Sequence, residues 1–186
     1  MSPARLFVAL IPPAPVRAEL SSLTTPLTAV RWTPEENLHL TLRFIGETTG
    51  EKLERFTASL QRVRVEPFIL PVGGVGLFPT RGPAKGLWAG VGHGHTRLYQ
   101  LRKQVDEALL AVDAGLAVPG FHPHFTLGRL DGTHEPKKIA HFLEQHARFE
   151  APPFRVTEFH LMASEATPGR APSYRIVRSL PLSGER

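Results

Sequence analysis

The chain has 186 residues, 41% of them apolar and 21% charged, enough for one domain with a real core or for two small lobes sharing one. It contains no cysteine, which excludes a disulfide, a thiolate nucleophile and a thiolate metal site and fits a cytoplasmic protein; no run approaches the ~20 apolar residues of a membrane helix. A formal charge of +5 and a sequence pI near 10.1 favour a polyanionic partner, nucleic acid first, against the plainer reading of a basic surface that only aids solubility.

The opening Arg5-Leu6-Phe7-Val8-Ala9-Leu10 goes straight into strand-like sequence, so no signal peptide is expected, and Pro12-Pro13 ends that strand. Val16, Leu20, Leu23 and Leu27 then fall at helical spacing behind an early Pro15. A second strand is predicted over Leu38-His39-Leu40-Thr41-Leu42-Arg43-Phe44, with Leu38, Leu40, Leu42 and Phe44 as its apolar face. Gly46 ends it, Thr48 reads as an N-cap, and Leu53, Phe56, Leu60 and Val63 mark a second helix. Glycines at 73, 74 and 76 predict a bulged or bent strand between Pro67 and Phe78. The Pro/Gly-rich stretch 79–86 is the best candidate for an internal boundary.

After it the order repeats: a strand over Leu87 to Val91, a helix striped by Leu98, Leu101, Val105, Leu109 and Val112, a strand holding His124, and a helix around Ile139, Phe142 and Leu143. Strands around Phe154 to Met162 and Tyr174 to Leu182 close the chain, on either side of a loop from Glu165 to Pro172. The repeat reads as an internal duplication, one domain built of pseudo-symmetric halves at about 1–80 and 86–186 that pack as lobes about a pseudo-two-fold.

The chemistry lies in a motif that occurs twice. His39-Leu40-Thr41-Leu42 and His124-Phe125-Thr126-Leu127 each place an imidazole and a hydroxyl on one face of a strand, about 6.6 Å apart along it, a span that can flank one phosphate. A duplicated frame brings the two motifs to one groove from opposite walls. At neutral pH one imidazole can then take a proton from water while its neighbour gives one to a leaving oxygen, and the two threonine hydroxyls can hold non-bridging oxygens; neither step needs a metal.

These stretches, with Trp32…Glu36-Asn37-Leu38 before the first motif, Leu87-Trp88-Ala89-Gly90-Val91, and Phe121-His122-Pro123 and Gly128-Arg129 around the second, resemble the two-histidine (2H) phosphoesterases over essentially the whole chain. Within that superfamily the likeness is to the RNA 2′,3′-cyclic phosphodiesterases, also called 2′-5′ RNA ligases. The resemblance implies an α+β, duplicated bilobal fold, with two antiparallel-rich sheets around a central cleft and helices outside. It implies hydrolysis of 2′,3′-cyclic phosphate ends of RNA or nucleotides to 2′-phosphomonoesters, with ligation as the reverse chemistry, no cofactor and no membrane. It assigns His39 as proton donor and His124 as proton acceptor, with Thr41 and Thr126 on the phosphate oxygens. Arg129 is a candidate phosphate contact, although strict alternation puts it opposite Thr126 unless the strand bulges or ends there. Arg43 has the parity of Thr41 and reads either as a cleft cation or as a solvated charge. Phe7 and Tyr174 read either as base-stacking rings or as core.

Two competing readings remain. His93-Gly94-His95 and His122-Pro123-His124 could together hold zinc, but no carboxylate accompanies them at ligand spacing and His39 would be left unexplained. A non-catalytic RNA-end binder would be served by Arg or Lys and does not require two histidines. A self-contained lobe pair predicts a monomer.

Overall fold

A computed structural model describes residues 5–92, 95–165 and 172–184, and among these the chain forms nine strands and four α-helices. In order they are β1 (Arg5–Leu10), α1 (Ala14–Ser22), β2 (Val30–Trp32), β3 (Leu40–Glu47), α2 (Gly50–Leu60), β4 (Phe68–Phe78), β5 (Gly86–Val91), α3 (Thr96–Leu110), β6 (His124–Leu130), α4 (Pro136–Gln145), β7 (Glu150–Val156), β8 (Glu158–Glu165) and β9 (Ser173–Pro181). The α+β class expected from the sequence is what the chain adopts. Apolar residues of all four helices, such as Val16, Phe56, Leu101 and Phe142, join one core with alternate residues of the strands, among them Val8, Leu40, Leu87, Phe125 and Leu161. One sheet face is thereby covered, and the other is left for chemistry.

The strand order is β7-β4-β5-β6-β3-β1-β8-β9, antiparallel throughout, with β2 alongside β6. The centre of this order is its weakest seam, because β3 and β6 are bridged by a single residue pair, Leu40 with Phe125. The two four-stranded halves therefore meet as one curled sheet. Each half mixes strands from before and after the 79–86 stretch: β3 and β1 are joined by β8 and β9, and β6, β5 and β7 by β4. The 79–86 stretch forms the turn of the β4–β5 hairpin, closed by Lys85 N–H donating to Phe78 O at 2.7 Å.

Both central strands carry a bulge at the same place. Ala9 faces Thr41 and Val8 faces Arg43, so Leu42 is the extra residue of β3; Trp88 faces Thr126 and Leu87 faces Gly128, so Leu127 is the extra residue of β6. Both leucines are buried, and beyond each the parity of the strand reverses. This overturns the expected apolar face of β3: Phe44 turns away from the core and stands 69% exposed, opposite Phe7.

Other expectations shift locally. The predicted strand from Phe154 to Met162 is two strands, β7 and β8, that part at Thr157, whose carbonyl accepts from Leu182 N–H. The α2 cap is Thr49, not Thr48: its side chain accepts from Lys52 N–H. Val63 and Val112 lie just past their helices. The loop expected between the last two strands falls largely on 166–171, outside the described residues.

Candidate active site

Leu40 and Phe125 point into the core from the bridging pair, so the residues flanking them turn the other way. His39 and Thr41 on one strand, and His124 and Thr126 on the other, thus share the open face at the seam of the sheet. The sequence predicts that these four side chains converge, and the strand pairing brings them together. His39 sits one residue before β3 proper, and His124 opens β6.

Each ring is held the same way. His39 Nδ1 donates to the carbonyl of Asn37 at 2.7 Å, and His124 Nδ1 donates to the carbonyl of His122, also at 2.7 Å. A carbonyl can only accept, so Nδ1 carries hydrogen in either protonation state and Nε2 is the atom left to exchange a proton. The backbone supplies these carbonyls for local reasons. Asn37 ends a 3-10 turn, Glu35–Asn37, and its side chain donates to Pro172 O at 3.2 Å. His122 precedes Pro123, which holds it extended.

Burial lowers the pKa of both imidazoles from the usual 6.5, and the carbonyl bonds oppose that shift in part. A charge on His124 further lowers the His39 pKa, so the rings are near enough for two protons to repel. A singly protonated pair, one donor and one acceptor, is the state this coupling favours over a doubly charged one.

Aromatic rings wall each histidine. His39 lies between Phe7 and Tyr174, both at 5.0 Å between ring centroids; Phe7 is core, buried with Ala9 and Met162, while Tyr174 packs half-buried against that cluster. His124 packs against Phe78 at 4.8 Å, and Phe78 in turn contacts Trp88 and His122. The β6 bulge turns Arg129 to the open side, opposite Gly86; its charge is felt by the Tyr174 hydroxyl, whose pKa burial raises and Arg129 draws back. The condition under which Arg129 can share the face of Thr126 is therefore met. Arg43 is neither a cleft cation nor a solvated charge: the β3 bulge drives it inward to 1% exposure, against Asp106 at 3.2 Å. Sequence periodicity does not reveal Asn37, Phe78, Trp88 or the bulges, because alternation encodes a face and not a ring contact; Gly128 is the one hint at a bulge. His93 lies outside the described residues, and among those described no three His, Cys, Asp or Glu side chains group as metal ligands.

Residues 11–88 and 91–172 match the family of LigT-like phosphoesterases. The chain belongs to this family. This LigT-like phosphoesterase is 35% identical to an RNA 2′,3′-cyclic phosphodiesterase of Thermus thermophilus, over 97% of this chain and 91% of that one. It is 30% identical to one of Archaeoglobus fulgidus, over 94% and 98%. Among solved structures it resembles TT0787 of Thermus thermophilus, with a TM-score of 0.82 and 26% identity over 98% of this chain and all of that one. It also resembles E. coli LigT complexed with 3′-AMP, with a TM-score of 0.77 and 27% identity over 97% and 99%. No helix among the described residues is long and apolar enough to cross a membrane.

Proposed function

We propose that this LigT-like phosphoesterase is a metal-independent RNA 2′,3′-cyclic phosphodiesterase, acting on RNA ends or nucleotides and leaving 2′-phosphomonoesters. The observation that carries this reading is the pair of imidazoles flanking one seam, each with Nδ1 tied to a carbonyl and Nε2 left for proton exchange. The matching relatives bear the name of this activity.

In the reaction a water proton passes to His124 Nε2 as the water oxygen forms its bond to phosphorus. The P–O3′ bond breaks, and His39 gives its Nε2 proton to the departing O3′. Thr41 and Thr126 hold the non-bridging oxygens, and Arg129 neutralises charge on the same side. Burial favours the neutral form of both imidazoles, and the negative charge of a bound phosphate favours the one proton needed on His39. An RNA 5′-hydroxyl in place of water would run the chemistry towards a 2′-5′ linkage. We read the chain as one cytoplasmic, monomeric domain of two pseudo-symmetric halves, about 1–80 and 86–186, that needs no cofactor.

The test is hydrolysis of nucleoside 2′,3′-cyclic phosphates with excess chelator, separating 2′- and 3′-monophosphate products from pH 5 to 9. A 2′-phosphate product is expected, with a bell-shaped profile. Because both rings have lowered pKa values, the optimum of kcat/KM for the free enzyme falls below pH 6.5. Turnover abolished by chelator and restored by zinc, or a 3′-phosphate product, overturns the reading.

A further inference from the structure

The two bulges leave two carbonyls without ladder partners beside the site, and they are satisfied by different means. In β6, Leu127 O accepts from the backbone N–H of Thr33 at 2.8 Å. In β3, Leu42 O accepts from a side chain, Arg102 Nη1 of α3, at 2.7 Å. The same guanidinium donates through Nη2 to Pro119 O at 3.2 Å and through Nε to Asp106 Oδ2 at 2.7 Å, and it lies 5.0 Å from the Phe121 ring. Pro119 and Phe121 belong to the segment that runs directly into His122 and His124. Leu42 follows Thr41.

One rigid, buried fork therefore spans the two histidine-bearing segments where the sheet itself joins them by a single pair. Asp106 fixes the fork's third edge and at the same time neutralises the buried Arg43. On this basis, and resting on the acid–base reading above, we infer that Arg102 is a positioning residue: by tying the β3 bulge to the segment before β6 it sets the separation and facing of His39 and His124. Lysine retains the charge and the stem but cannot hold two carbonyls and a carboxylate in one plane.

The experiment compares Arg102→Lys with the wild type and with Ser59→Ala. Ser59 also ties a side chain to a backbone carbonyl of α3, donating from Oγ to Ala108 O at 2.7 Å across the half-buried contact of α2 with α3, away from both histidine segments. Turnover of a 2′,3′-cyclic nucleotide is measured well below each melting temperature. Arg102→Lys is expected to lower kcat about 10- to 100-fold with KM changed less than about 3-fold, as for a small misplacement of reacting groups. Its pH–rate limbs are expected to move relative to one another, because the repulsion between two imidazolium charges depends on their separation. Ser59→Ala is expected to lower the melting temperature and leave kcat and both limbs in place. If Arg102→Lys does not fold, Asp106→Asn, which leaves both carbonyl bonds of Arg102 in place while loosening its Nε anchor and removing the charge beside Arg43, carries the same expectation at about 3- to 10-fold.

The histidine ring signals are followed by NMR titration in the same proteins. Ring titrations and coupling that match the wild type in the folded Arg102 variant overturn the positioning role whether or not the wild type turns over. An inactive wild type with altered ring titrations in the variant leaves positioning intact and instead defeats the acid–base reading. A kcat loss no greater than that of Ser59→Ala also overturns it.

Discussion

The half-sheet β3-β1-β8-β9 and the half-sheet β6-β5-β4-β7 agree around their histidines and threonines and differ in the walls beside them. Both anchor a histidine Nδ1 on the carbonyl two residues upstream at 2.7 Å, and both insert a buried leucine after the threonine. Beyond the bulge, however, the first presents Phe44 to the open face where the second presents Arg129. The cross-strand pair next to the threonine is also inverted, small Ala9 with His160 in one half and large Trp88 with Gly76 in the other. A β-carbon on Gly76 would lie 2.2 Å from the Trp88 ring, so that glycine is what lets the indole lie over the neighbouring backbone, against Phe78 and His122. The matched features set the two histidines alike, and the departures from the match shape the walls.

The strongest way to break the symmetric half of this comparison is to remove its rings. His39→Ala and His124→Ala are each expected to lower kcat by about 10²–10⁴-fold, the usual contribution of a positioned acid or base. If the two act as a unit, the double variant loses little more than the worse single one. Loss of only a few-fold from either would show that the matching anchors serve structure. Thr41→Ala and Thr126→Ala should cost less than the histidines, and a rate indifferent to both would remove the hydroxyls from the transition state.

A smaller effect sharpens the asymmetric half. Arg129→Ala removes a charge that can meet phosphate, and such charge-assisted bonds are worth about 1.5–3 kcal/mol, so kcat/KM should fall about 10- to 100-fold for every base and with a weakened salt dependence. Phe44→Ala removes a ring that is 69% exposed and so costs the fold little. Its effect, set by base stacking at about 1–3 kcal/mol per base, should differ between purine and pyrimidine 2′,3′-cyclic nucleotides and ignore salt. Equal, base-independent losses from both changes would mean that the two walls are not specialised.

The pairing of His39 with His124 is legible in the sequence because two copies of one period-two motif, each at the same step of a repeated order of elements, point to one shared site. The helices are legible for the same reason, as stripes such as Leu98, Leu101, Val105 and Leu109. What periodicity misses is a change of phase. Leu42 and Leu127 continue the apolar pattern by eye, yet each is the residue at which the strand slips, and so periodicity puts Arg43 outside and Phe44 inside, the reverse of the structure. Arg102 is hidden for a different reason: on a helix, a basic residue beside an apolar stripe reads as solvated, and only the unpaired bulge carbonyl explains why it is buried.

The smallest expected effect is on stability, and it separates the histidines from the acidic groups. His39, His124 and His160 are all held below the usual 6.5 by burial, so between that value and their own lower values the unfolded chain binds protons that the folded chain does not. Stability from these groups is complete above about pH 6.5 and declines as pH falls through the folded values. The lowered carboxyls of Asp113 and Asp131 act in the same sense but in a window that opens only below the usual 3.8. The urea midpoint measured from pH 7.5 to 5 should therefore drop on the acid side, and His39→Gln should flatten the drop more than His124→Gln, since His39 is the more buried of the two rings. A midpoint that rises on acidification, or a His39 variant with the wild-type slope, would show that the ring between Phe7 and Tyr174 takes up its proton as readily as one in water.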